Sequence, residues 1–136
     1  MRVFLSTPIR GVHAGDEIYR LMYAHLQQMG VSVEGAFGLS LEAEQGLDDR
    51  RIYTRDITAL ERSDIVLAEV STPSTGVGFE IAHAVAMGIP VVCVHEKGAS
   101  VSAMVLGCPE LRTYAYADAG ELCALMSRAL SQLTRL

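Results

Sequence analysis

Glu80 is a lone carboxylate in the apolar stretch Phe79-Glu80-Ile81-Ala82-His83-Ala84-Val85-Ala86, just after a turn rich in glycine and hydroxyl groups. A structural glutamate normally occupies a solvated helix face, and this stretch, being apolar, is expected to offer no solvated face. The carboxylate is therefore expected to be desolvated or aimed into a cleft, where it could attack carbon or hold a proton. The plainer alternative is a carboxylate satisfied by backbone N–H groups at a helix start. Residues 65–68 are continuously apolar and read as a buried parallel strand; 71–78 read as a turn and 79–87 as a helix. In open α/β sheets ligands gather outside the carboxyl ends of the strands, so this junction would set one acid beside a row of donors suited to an anion.

Asp56 is the second acid. Residues 50–62 read as a helix in which Tyr53, Asp56, Ile57 and Leu60 fall at i, i+3, i+4 and i+7, the face that should pack inward. Arg50, Arg51, Arg55, Glu61 and Arg62 are expected to point elsewhere. The alternative is a partly buried aspartate paired with Arg55 or Arg62 of its own helix. Two acids in one cleft would allow one to be ionised while the other holds a proton.

Two loops should meet these acids. Thr7, Ile9, Arg10 and Gly11 follow the first strand at the same end of the sheet, where small residues let backbone approach a ligand and Ile9 could lie against a flat base. Ser74, Gly76 and Gly78 could aim hydroxyl and N–H groups at phosphate oxygens. Taken singly, such a loop fits an ordinary turn and Arg10 fits a surface cation. The functional reading rests on their convergence at one sheet edge.

The positioning elements alternate. Strands are expected at 1–6, 31–37, 65–68, 90–95 and 111–116. Helices are expected at 16–29, closed by Gly30, and at 50–62 and 79–87, with a short helix or ordered loop at 100–106. The last helix opens on the capping box Asp118-Ala-Gly-Glu121 and carries Leu122, Leu125, Met126, Leu130 and Leu133 on one face. This order predicts a single-domain α/β fold, a flavodoxin-like doubly wound sheet of five parallel strands in the order 2-1-3-4-5.

Composition narrows the function classes. Half of the 136 residues are hydrophobic, yet no apolar stretch is long enough to span a membrane, so a single soluble enzyme domain is expected. The first residues enter a strand without the apolar core of a signal peptide, and cytoplasm is the expected compartment. Three widely spaced cysteines make neither a disulfide framework nor a zinc site. A net charge of -5 with no basic run argues against nucleic acid as partner. Gly76-Val-Gly78 begins like a dinucleotide fingerprint, but Ile81 fills the place of its third small residue, and no GxxxxGK[ST] is present. Glu80 and His83 form one Glu-x-x-His where a di-metal helix pair needs two, so neither a metal nor a cofactor is expected.

The segment from Ala68 to Glu80, Ala-Glu-Val-Ser-Thr-Pro-Ser-Thr-Gly-Val-Gly-Phe-Glu, followed by Ala84, Gly88 and Pro90, resembles the signature of the 2'-deoxynucleoside 5'-monophosphate N-glycosidases. These belong to the nucleoside 2-deoxyribosyltransferase superfamily. The likeness extends to Ile9-Arg10-Gly11, Arg55-Asp56 and Ser102-Ala103-Met104. It implies that Glu80 is the nucleophile, Asp56 the proton donor, and the two loops the phosphate site. It also implies a homodimer in which the partner subunit's Ser102, within Ser102-Ala-Met104, completes the active site. Phe4 stands where the deoxynucleotide hydrolases usually have a tyrosine that orients the nucleophile, and Pro8 replaces a serine. Both departures are similar to the cytidylate N-glycosidases, which leaves the sugar open between deoxyribose and ribose. A nucleoside deoxyribosyltransferase is the nearest rival, and a nucleotide sensor without chemistry the plainest one.

Overall fold

The computed structural model describes residues 1–8, 16–35 and 46–135. Strands and helices alternate: β1 (Arg2–Ser6), α1 (Asp16–Gln28), β2 (Ser32–Glu34), α2 (Asp49–Glu61), β3 (Ile65–Glu69), α3 (Thr75–Ala86), β4 (Val91–Glu96), α4 (Ala103–Leu106), β5 (Leu111–Tyr116) and α5 (Ala119–Thr134). The strands form one sheet in the order β2-β1-β3-β4-β5, with every pairing parallel. This is the flavodoxin-like topology expected from the alternation. The order reverses at β1, whose neighbours are β2 on one side and β3 on the other, and sheets of this kind bind ligands beyond the carboxyl ends of their strands at such a point.

Side chains alternate across the strands and divide the core in two. Val3, Leu5, Ile65, Leu67, Val92 and Val94 pack against Tyr19, Met22 and Leu26 of α1 and the Leu122, Met126 and Leu130 stripe of α5. Phe4, Val66, Ala68, Val91 and Cys93 face the other way, against Ala59 and Leu60 of α2 and Val77, Ile81 and Ala84 of α3. Ser6 follows Phe4 by two residues and so shares the α2–α3 face. Asp118 caps α5 by accepting the Glu121 N–H at 2.8 Å.

Most boundaries fall within a residue of expectation, α4 begins three residues late at Ala103, and two others differ with consequences for the site. The third inter-strand helix begins at Thr75, not Phe79, because the Ser74 side chain accepts the Val77 N–H at 3.3 Å and Val77 is buried. An N-cap together with a buried first-turn side chain outweighs the low helix propensity of Gly76 and Gly78. β2 stops at Glu34, since Gly35 takes a positive φ of 74°; the expected continuation through 36 and 37 lies outside the described residues.

Gly35 has a second constraint, because a Cβ there would fall 2.7 Å from the buried Phe4 ring. Gly35→Ala should lower stability by about 2 kcal/mol through combined backbone strain and overpacking. Chemical denaturation checks this, and an unchanged midpoint would show that the Phe4 ring yields freely. No helix among the described residues is long and apolar enough to cross a membrane.

Candidate active site

Ser74 organises the first turn of α3. Ser74 is the N-cap, and its backbone carbonyl accepts the Gly78 N–H at 3.1 Å. With the Val77 N–H taken by the Ser74 hydroxyl, the Thr75 and Gly76 N–H groups are the first-turn donors that no helix carbonyl can reach. The connection leading into this turn is anchored from below by Glu69. That buried carboxylate accepts the Ser71 N–H at 2.5 Å and the Tyr116 hydroxyl from β5. The Ser71 hydroxyl in turn accepts the Glu96 N–H at 2.8 Å. Burial and the neighbouring carboxylate raise the Tyr116 phenol above its ordinary range, so it serves Glu69 as a donor.

Glu80 lies one and a half turns into α3 and lines a cavity of about 290 Å³ with Tyr53, Asp56, Ile57, Thr75, Gly76 and Phe79. The two acids singled out in the sequence thus meet across the α2–α3 interface. The Tyr53 and Phe79 rings form the rim, edge to face with centroids 6.0 Å apart. Phe79 also stacks on His83, centroids 6.5 Å apart, and His83 Nε2 lies 3.0 Å from Glu61 Oε1. His83 therefore ties α3 to α2 beside the cavity.

Asp56 is paired: Arg55 Nε donates to its Oδ1 at 2.8 Å, and both side chains are largely buried. This is the alternative kept open for Asp56, a pair within its own helix, and it corrects the expectation that Arg55 points away. Consecutive helix residues diverge by about 100°, but the long arginine stem can fold its guanidinium back along the helix, and partial burial of both groups favours that.

The Glu80 carboxylate accepts a hydrogen bond from the Ser6 hydroxyl at the end of β1, Oγ to Oε1 3.4 Å. Burial, and then the negative charge of Asp56, push the Glu80 carboxyl up from its ordinary 4.5 to about 8, against the opposing pull of Ser6. Two carboxyls in one cleft, one of them with its proton affinity raised, can divide nucleophilic and proton-transfer roles. Among the described residues, no group of three or more His, Cys, Asp and Glu side chains is placed to hold a metal ion.

The expected binding residues are dispersed. Gly76 lines the acid cavity, whereas Ser74 and Gly78 line a second, larger groove of about 880 Å³ on the other side of α3. Helical geometry separates Gly76 from Gly78 by about 200°, so the two glycines cannot serve one phosphate as a loop could. Ser102 and Met104 line the same groove; the Ser102 hydroxyl caps α4 by accepting the Met104 N–H, and Met104 is 83% exposed. Thr7 is buried at the end of β1. Phe4 lines neither cavity but sits in the core, its ring against Gly35. Its expected place in the substrate pocket is therefore corrected, since an apolar ring on the inner face of a strand packs under the helices. Ile9, Arg10 and Gly11 lie outside the described residues.

One more correction concerns α3 itself. Its Ala82 and Ala86 are exposed, so the helix has an open face, and that face is apolar rather than polar. Ser6, Glu69, Tyr53 and Phe79 surround the acids or the turn, although residue type alone does not mark them as site residues in the sequence. Ser6 could have been found by strand alternation from Phe4. Tyr53 and Phe79 could have been found as i−3 and i−1 neighbours of the two acids.

Residues 3–126 match the family model described as nucleoside 2-deoxyribosyltransferase. A Methanosarcina mazei protein provisionally named 2'-deoxynucleoside 5'-phosphate N-hydrolase 1 is 42% identical over 119 residues, which cover 82% of this chain and 74% of that one. The 5-hydroxymethyl-dUMP N-hydrolase of Rattus norvegicus is 32% identical over 135 residues, covering 93% and 82%. A solved structure titled as the CMP N-glycosidase of Clostridium botulinum superposes with a TM-score of 0.73 at 19% identity, over 95% of this chain and 99% of that one. At that identity the superposition speaks for the fold alone.

Proposed function

We propose that this chain, which belongs to the nucleoside 2-deoxyribosyltransferase family, hydrolyses the N-glycosidic bond of nucleoside 5'-monophosphates to a free base and a sugar 5-phosphate. The observation that carries this reading is the meeting of Glu80 and Asp56 in one cavity beside the N-terminus of α3. The relatives named as N-hydrolases of deoxynucleoside 5'-phosphates support the substrate class.

In the first step a Glu80 carboxylate oxygen bonds to C1' of the sugar while the C1'–N bond breaks. Its electron pair leaves with the base, which takes a proton from Asp56. In the second step water attacks C1', Asp56 takes the water proton, and the C1'–Oε bond breaks to return the Glu80 carboxylate. The positive end of α3, Ser74 and Arg10 hold the phosphate at a distance from the reacting carbon, so that binding energy places C1' against the nucleophile. The Tyr53 and Phe79 rings offer the base an apolar rim.

One observation favours exchanged roles. Glu80 has the raised proton affinity of a donor, and Asp56 already has a cationic partner in Arg55. Supporting Glu80 as nucleophile is the Ser6 hydrogen bond, which favours its charged form. Incubation with matched deoxy- and ribonucleoside monophosphates, with free base as the readout, tests the function. Deoxynucleotides should react faster, because an electron-withdrawing 2'-hydroxyl opposes the cationic transition state. Absence of base release from every nucleotide would end the hydrolase reading, and products formed only when a second base is added would make the chain a transferase.

The same reading takes the apolar groove between α3 and α4 as the seat of a second copy of the chain, with Met104, Leu106 and Met87 exposed around it. In that dimer the partner subunit's Ser102 would reach the phosphate. Ser102→Ala should therefore weaken monophosphate binding about tenfold and leave unphosphorylated nucleosides unchanged. Sedimentation that finds a fully active monomer at micromolar concentration would dismiss the shared site.

A further inference from the structure

Ser6 has a place in the site that the chemistry above does not use. It ends β1 on the face turned to α2 and α3, is almost completely buried, and reaches Glu80 from the sheet below. Register places it beside Ala68 of β3, whose methyl group offers no polar contact. Among the described residues, the Glu80 carboxylate is the hydrogen-bond partner of the Ser6 hydroxyl. A serine is unusual in a strand whose other inward positions are Val3, Phe4 and Leu5, and a buried hydroxyl without a partner would be costly there.

We propose that Ser6 is the positioning residue of the reactive carboxylate: its hydroxyl holds Oε1 of Glu80 against the end of β1 and leaves Oε2 to face the substrate. The proposal rests on the reading of Glu80 as nucleophile. A hydrogen bond donated to a carboxylate is stronger to its charged form, so the same contact that orients Glu80 also favours the state able to attack. At 3.4 Å the bond is long, as catalytic hydrogen bonds often are before substrate closes the site.

The other groups around Glu80 work against that state or are committed elsewhere. From α2, Asp56 opposes ionisation by its charge, while its partner Arg55 is engaged with it and Tyr53 stands at the rim. On α3 itself, His83 is turned to Glu61. Ser6 is therefore the described neutral donor acting on Glu80 itself.

The test compares wild type with Ser6→Ala and Ser6→Thr, each checked for an unchanged circular dichroism spectrum and melting temperature. The Glu80 carboxyl is followed by NMR in protein carrying ¹³C-labelled glutamate, with Glu80→Gln identifying its resonance. Ser6→Ala should raise the Glu80 titration midpoint by about half a unit or more, and Ser6→Thr, which keeps the hydroxyl, should restore most of it. In turnover of a monophosphate, Ser6→Ala should lower kcat about tenfold near neutral pH with KM little changed, and the deficit should shrink as pH rises. An unchanged midpoint, or a loss in Ser6→Ala that is independent of pH, overturns the positioning role. The titration needs no activity, so a protein that releases no base fails as a hydrolase and still decides whether Ser6 acts on Glu80.

Discussion

Glu80→Ala reduces base release to less than about one hundredth of the wild-type rate, a loss of at least about 2.7 kcal/mol of transition-state stabilisation, while the fold survives. The side chain lines a cavity and is only partly buried, so its removal enlarges open space and leaves the Val77, Ile81 and Ala84 contacts of α3 intact. Residual turnover above that level would remove Glu80 from the covalent step. In the wild type the reactive form of the two acids carries a single proton, so kcat/KM should fall as pH rises through about 8, where the pair loses it. Glu80→Gln carries a linked signature in stability. A folded-state pKa raised above 4.5 means that the folded protein binds the proton more tightly than the unfolded chain does. The contribution is present in full below about 4.5 and is lost as pH rises through about 8, amounting to on the order of 2 kcal/mol once partial solvent access is allowed for. Denaturation curves at pH 5 and pH 9 should therefore differ more for wild type than for Glu80→Gln.

Asp56→Asn slows cleavage of ordinary nucleotides by about 10²- to 10³-fold, the range of a lost general acid. Asparagine keeps the shape of the side chain and its place between α2 and α3 but cannot give up a proton. A substrate whose leaving group is a p-nitrophenolate needs no protonation, so its first step should survive, seen as a burst of released phenolate. The slow phase after the burst should remain impaired, because in the proposed mechanism Asp56 also activates the water of the second step. Equal losses for good and poor leaving groups would contradict a proton-donor role. If Glu80→Gln instead showed the leaving-group dependence and Asp56→Asn the complete loss, the two acids would have exchanged roles, as the Arg55 pair and the high proton affinity of Glu80 allow.

Much of this arrangement was legible in the residue order. The continuous apolar runs of β3 and β4, the helical stripe of α5, the strict alternation of elements and a count of five strands point to a parallel doubly wound sheet, whose helices cover both faces of such strands. The same order places the turn after β3 at the ligand-binding end, and helical periodicity places Asp56 on the inner face of α2. Local pattern is sufficient there because periodicity and crossover handedness are short-range constraints.

What the tertiary structure decided is which groups touch. The start of α3 moved four residues upstream once Val77 found the core and Ser74 capped the turn, and this sent Gly76 and Gly78 to opposite sides of one helix. Phe4 went into the core and Ser6, two residues on, took the contact with Glu80. Arg55 folded back onto its neighbour Asp56, although helical phase alone points it away. Each outcome depends on the summed burial and hydrogen bonding of residues distant in sequence, a free-energy difference that no local window contains. The chain's order thus determined the scaffold and the positions of the two acids, and packing decided which groups they touch.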